Sequence, residues 1–131
     1  MEQPLKNYLL DSVILIDHFN GQPEATQFIL DHRDSVSISV ITRAEVLTGF
    51  APVDEVQAKA FLKLFQTHEL TEEDADLAAN LRRENRWKLP DALQAAVAIN
   101  RRLTLATRNS KDFNPDKHSF VVIPYRLSAK K

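Results

Sequence analysis

The stretch from Lys88 to Phe113, KLPDALQAAVAINRRLTLATRNSKDF, decides how this chain is read. Pro90 opens a helix at its first position, where the missing N–H costs nothing. Asp91 follows in the first turn, beside the positive end of the helix dipole. Ala92 to Ile99 is almost wholly apolar, which predicts a buried helix rather than one with a single apolar stripe. Asn100, Arg101 and Arg102 end it with polar and cationic groups. Leu103 to Ala106 then reads as a short interior strand, and Thr107 to Phe113 as a polar loop holding Asp112. One acid thus precedes a buried helix and another follows the next strand, so the two can meet in space.

Working outward, the same alternation recurs. Tyr8-Leu9-Leu10 is a short apolar run that stops at Asp11 and Ser12, as a buried strand would. Val13 to Phe19 has helical length and stops at Asn20-Gly21. Pro23 and Glu24 open a further helix through Leu30. Val36 to Val40 alternates as a strand and runs into a helical segment from Thr42 to Leu47, ending at Gly49. Val53, Val56, Ala60, Phe61, Leu64 and Phe65 fall at helical spacing and predict an amphipathic helix. His68-Glu69-Leu70 reads as a short strand, and Thr71-x-x-Asp74 as the start of a helix that finishes among Arg82, Arg83 and Arg86. Phe120 to Ile123 supplies a last strand, and Lys130-Lys131 a frayed tail. Short apolar strands alternating with helices predict an α/β fold: a three-layer α/β/α sandwich around a parallel sheet of about five strands.

At 131 residues this is one domain, 1–131, long enough for a real hydrophobic core. The chain has no cysteine, which excludes disulfides and thiolate metal sites and points to a reducing cytoplasm. The apolar run from Tyr8 to Ile16 is interrupted by Asp11 and preceded by only one lysine; it is too short to span a bilayer and lacks the layout of a signal peptide. With glycines only at 21 and 49, no Gly-rich phosphate loop exists, which removes P-loop and dinucleotide-binding classes. The net charge of −1 hides an asymmetry. Residues 1–75 carry 13 acids and 5 bases, whereas residues 76–131 carry 5 acids and 12 bases. Such a split suggests a basic surface that attracts a polyanion, although solvated helix faces account for it as well.

Ligands of open parallel α/β sheets bind outside the carboxyl ends of the strands. Asp11, Glu45, Asp91 and Asp112 each fall just past a strand or near a helix start. Singly, each has a structural explanation. Asp11 caps a helix, Glu45 completes a Thr42-x-x-Glu45 capping box, Asp91 complements the dipole, and Asp112 is a turn residue. Jointly, four carboxylates in one cleft repel one another unless a cation is present. Hard divalent ions take oxygen ligands, with Mg²⁺ content with one or two carboxylates plus water and phosphate. Such an ion activates water and steadies the oxygens of a phosphodiester. No histidine stands beside these acids in sequence, which argues against zinc. His18, His32, His68 and His118 are scattered singly. No Gly-x-Ser-x-Gly motif supports serine chemistry.

Four segments resemble the PIN-domain ribonucleases, and more narrowly the VapC-type toxins of bacterial toxin–antitoxin pairs. They are Tyr8 to Asp17, with its strand, acid, hydroxyl residue and Leu-Ile-Asp ending; Ser37 to Gly49, with Glu45; Leu89 to Ala96, with Asp91; and Leu105 to Phe113, with its Thr-Arg-Asn-x-x-Asp-Phe close. Each is a weak pattern alone, and all four in order are specific. The resemblance implies a Mg²⁺- or Mn²⁺-dependent endoribonuclease. Its metal-binding acids would be Asp11, Glu45 and Asp91, with Asp112 or Asn109 completing the site. Some family members carry an acid at the Asn109 position, which an amide does not replace. Asp112 is therefore expected as the fourth carboxylate and Asn109 as its polar neighbour. Ser12 and Thr107 would steady ligands or water through their hydroxyls. The resemblance also implies a homodimer neutralised by a small VapB-like antitoxin.

The expected reaction is hydrolysis of an RNA phosphodiester, with Arg82, Arg83, Arg86, Lys88, Arg108 and Lys111 as candidate backbone contacts. A receiver-like phosphoacceptor domain is the first alternative, but it calls for an adjacent acid pair after the first strand, and Asp11 is followed by Ser12. A catalytically inactive binding module of the same fold is the second.

Overall fold

In the computed structural model, which describes residues 7–127, the short apolar runs pair side by side because each is too short to fold against itself. The strands are β1 (Tyr8–Leu10), β2 (Val36–Ser39), β3 (Gln66–His68), β4 (Thr104–Ala106) and β5 (Val121–Val122). All neighbouring pairs are parallel, in the order β3-β2-β1-β4-β5. The helices are α1 (Ser12–Phe19), α2 (Pro23–Asp31), α3 (Val40–Thr48), α4 (Glu55–Leu62), α5 (Glu72–Asn85) and α6 (Leu89–Asn100). Among the described residues no helix is long and apolar enough to cross a membrane.

Alternation along the strands divides the core in two. Leu9, Leu105 and Val121 face α5 and α6, packing with Ala78, Trp87, Ala92, Ala95, Ala96 and Phe113. Leu10, Ala106, Val36 and Ile38 face the other way, against Ile14, Leu15, Ile29, Val46 and Leu62 from α1 to α4. This is the predicted α/β/α sandwich. The small side chains of α6 (Ala92, Ala95, Ala96 and Ala98) bring that helix close over the sheet, and all four are fully buried.

Strand β2 shows why a period-2 pattern does not always mean one wet face. Ser37 and Ser39 lie on the α5–α6 side and are as buried as Val36 and Ile38. Their hydroxyls are satisfied internally: Ser37 donates to the Tyr8 carbonyl, and Ser39 caps α3 by accepting from the Thr42 N–H. Helix α3 therefore starts two residues before Thr42, and the expected Thr42–Glu45 capping box does not form. Thr42 is instead buried, with its hydroxyl donating to the Leu10 carbonyl at 3.0 Å. The Thr71–Asp74 box does form, reciprocally.

Two other expectations shift. Strand β3 lies two residues earlier than His68-Glu69-Leu70, because it pairs in register with β2 through Gln66, Thr67 and His68. Helix α4 buries Ala58 and Leu62, while Val53, Val56 and Leu64 from the predicted apolar face are exposed. The chain between 51 and 54 turns before the helix begins, which rotates that face outward. The expected tail at Lys130-Lys131 lies outside the described residues.

Asp74 fixes the far end of the α5–α6 pair. Its fully buried carboxylate accepts from Asn100, Arg101 and the Thr71 N–H. Burial alone would raise its pKa, but these donors together hold it well below the usual carboxylate range.

Candidate metal centre

Sheet order places the site. The chain moves outward from β1 to β2 and β3, then crosses back to β4 on the other side of β1, so the topological switch lies between β1 and β4. Leu10 and Ala106 are register partners across that switch, so the next residues, Asp11 and Thr107, emerge side by side at the carboxyl edge. Helix α6 runs antiparallel to the strand that follows it, which returns its first turn, with Asp91, to the same edge. Glu45 sits in the second turn of α3, which begins where β2 ends.

Asp11 is the best-defined member. It is only 8% exposed, so its charge must be met by donors rather than by water. The Ser12 N–H donates to Oδ1 at 2.9 Å, and the Thr107 hydroxyl donates to Oδ2 at 2.7 Å. A longer bond reaches Oδ1 from Gln94 Nε2 at 3.4 Å. Asp11 is thus the N-cap of α1, as the purely structural reading expected, and a fixed carboxylate at the sheet edge as well.

The four acids converge electrostatically. The Asp91 carboxyl is pushed up to about 6, first by burial and then by the charges of Asp11, Asp112 and Glu45, with Lys88 pulling against them. Glu45 is more open. Partial burial and the Asp11 charge raise its carboxyl against a hydrogen bond from Ser12. Asp112 stands in the loop after β4. Its side chain accepts from Asn109 Nδ2 at 3.1 Å, and its N–H points back at the Asn109 amide oxygen. The Asn109 N–H in turn donates to the Thr107 hydroxyl. Asn109 is therefore a brace for Asp112 and Thr107, and of these two loop residues it is Asp112 that adds to the charge felt by Asp91. Trp87 adds a further brace, its indole N–H donating to the Asp112 carbonyl at 3.0 Å.

Among the described residues, no three carboxylate or imidazole groups are already gathered tightly enough to enclose an ion. An ion held here would rest on one or two carboxylates and be completed by water and a ligand. The donor set is entirely oxygen. The neighbouring charges that add to burial in raising Asp91 are what a bound dication would offset. On both counts the residues fit Mg²⁺ or Mn²⁺.

The basic candidates separate into two groups. Arg82, Arg83 and Arg86 are exposed and, with Trp87 and Leu89, line an open cleft of about 520 Å³. Lys88 and Lys111 are also exposed. Arg108 turns inward instead. Its guanidinium binds Asp17 through Nε at 2.7 Å and Nη2 at 2.9 Å, and the Tyr125 hydroxyl donates to the same carboxylate at 2.8 Å. Burial would raise Asp17, but these partners lower it. This latch joins α1 to the loop that carries Thr107, Asn109 and Asp112.

Tyr125 and Gln94 were not singled out from sequence, and Asp17 was noted only as the end of the Leu-Ile-Asp motif, with no role assigned. Asp17 offered a signal, as an acid inside a buried apolar helix, whereas Gln94 is hidden in the alanine-rich run of α6.

The four acids and the residues that brace them directly lie within residues 8–114, which match the PIN domain family model, and only Tyr125 of the latch falls beyond it. Over 108 residues the chain is 32% identical to Ribonuclease VapC10 of Mycobacterium tuberculosis, covering 77% of this chain and 81% of that protein. It superimposes on a toxin–antitoxin complex from Klebsiella pneumoniae with a TM-score of 0.86 and 37% identity, over 92% of this chain and 100% of that one. The fold is shared with FitAcB from Neisseria gonorrhoeae, at a TM-score of 0.75 and 24% identity over 92% and 99% of the two chains. The chain belongs to the PIN-domain family.

Proposed function

We propose that this chain is a divalent-metal-dependent endoribonuclease and the toxin of a toxin–antitoxin pair. The observation that supports it most is the convergence of Asp11, Glu45, Asp91 and Asp112 at the switch point of the sheet, registered in the raised Asp91 carboxyl. The match to a ribonuclease supplies the substrate class, and the likeness to a toxin–antitoxin complex supplies the partner, a small VapB-like antitoxin.

Asp11 and Asp91 would hold the ion, with Glu45 and Asp112 beside them. When bound, Mg²⁺ neutralises charge on the phosphodiester and activates water for its hydrolysis. The protein's own contribution is placement. Thr107 and the Ser12 N–H turn both oxygens of Asp11 into fixed positions. Asn109 holds Asp112. Exposed Arg82, Arg83, Arg86, Lys88 and Lys111 are the groups available to RNA phosphates, and Arg108 is engaged by Asp17. The missing acid pair after β1, together with the family membership, sets the receiver alternative aside.

The test is incubation of the purified protein with structured RNA under three conditions: Mg²⁺, Mg²⁺ with excess chelator, and Mg²⁺ with a candidate antitoxin, sought as a small protein encoded by a neighbouring gene. Endonucleolytic fragments are expected in the first condition only. Cleavage unaffected by the chelator would overturn the metal reading.

A further inference from the structure

Gln94 is 1% exposed, and its amide is fully used inside a chain of hydrogen bonds that runs beneath the acids. The Thr42 N–H donates to Ser39 Oγ, which leaves the Ser39 hydroxyl hydrogen for Gln94 Oε1. Gln94 Nε2 donates to Thr42 Oγ1 at 2.6 Å, and Thr42 passes its own hydrogen to the Leu10 carbonyl. The second hydrogen of Nε2 points to Asp11 Oδ1 at 3.4 Å. A flipped amide would set its oxygen against two acceptors, so the network fixes Gln94 as a donor toward Asp11. Among the described residues no buried side-chain nitrogen or oxygen lacks a partner, so the chain closes without a gap.

Geometry gives this chain a purpose beyond stability. Thr42 is one turn before Glu45 on α3, and Gln94 is one turn after Asp91 on α6, so each pair shares a helix face. The Gln94–Thr42 bond therefore clamps α3 to α6 one turn below Glu45 and Asp91, while the Gln94–Asp11 bond ties in β1. We propose that Gln94 is a positioning residue of the metal centre, setting the mutual spacing of Asp11, Glu45 and Asp91. The proposal rests on the metal reading above.

The probe is Mn²⁺ alone, titrated calorimetrically into the full chain and its variants, with circular dichroism to establish that each is folded. Removing a group that orients metal ligands typically costs about 10–100-fold in metal affinity. Gln94→Leu is expected to bind Mn²⁺ weaker by about that factor. Thr42→Val, which leaves Gln94 in place but deletes its anchor, should weaken binding in the same direction. Thr42→Ser keeps the hydroxyl and should bind like the unsubstituted protein. A merely structural role would lower the unfolding temperature and leave the Mn²⁺ affinity of the folded protein unchanged, and that result overturns the proposal. If Gln94→Leu does not fold, the comparison of Thr42→Val with Thr42→Ser decides. Absence of Mn²⁺ binding by the unsubstituted protein would instead overturn the metal reading on which the proposal stands.

Discussion

At Asp91, burial and the neighbouring charges of Asp11, Asp112 and Glu45 raise the carboxyl to about 6, so the fold disfavours the charged form. A folded pKa above the unfolded value gives stability that is complete below the unfolded pKa, near 4, and is lost as pH rises through about 6. The metal-free protein at pH 7.5 therefore carries an unrelieved cost here. Asp91→Asn should remove it, stabilising the metal-free fold at pH 7.5 by roughly 1–2 kcal/mol after allowance for solvent screening. The advantage should vanish toward pH 4. Urea unfolding of both proteins in chelator at the two pH values measures this, and equal stabilities at pH 7.5 would contradict it. At this scale the four acids were legible because a charged residue directly after an apolar strand or in a first helical turn needs a reason. Gln94 was not, since a single amide within an alanine-rich helix shows its partners only once β1, β2 and α3 are assembled around it.

Between elements, the clearest joint is Asp74, where the capping box of α5 meets the last residues of α6. Its donors outweigh burial and hold the carboxyl low, so the stabilisation is present above the unfolded pKa near 4 and is lost as pH falls below it. Removing the carboxylate costs about 1–3 kcal/mol, because it leaves Asn100 and the Thr71 N–H without their acceptor, while partly exposed Arg101 keeps the Glu69 carbonyl. Asp74→Ala should lower stability by that order in thermal or urea unfolding at pH 7. A loss under 1 kcal/mol would show that water replaces the carboxylate. The Thr71–Asp74 box was readable because both partners are local in sequence. The start of α3 was not: Ser39 and Thr42 both qualify as caps, and only the burial of Thr42 against Leu10 selects Ser39. Helix α4 misled for a related reason. Periodicity marks an apolar face but not which way it turns, and residues 51–54 turn Val53 and Val56 outward.

For the whole molecule, the order of short strands and helices determined the sandwich, and the rule that ligands gather past strand ends pointed to the candidate site. The switch between β1 and β4 brings residue 11 beside residue 107, and α6 returns residue 91 to the same edge. Distant parts of the chain thus bring carboxylates to one edge of the sheet. What those carboxylates do is tested most directly by single-turnover cleavage of RNA in Mg²⁺, comparing the unsubstituted protein with Asp91→Asn. The substitution keeps the shape of the side chain and removes the charge that the proposal assigns to holding the ion. A loss of about 100-fold or more in cleavage rate is expected, with the native circular dichroism spectrum retained. Undiminished Mg²⁺-dependent cleavage by folded Asp91→Asn would contradict it.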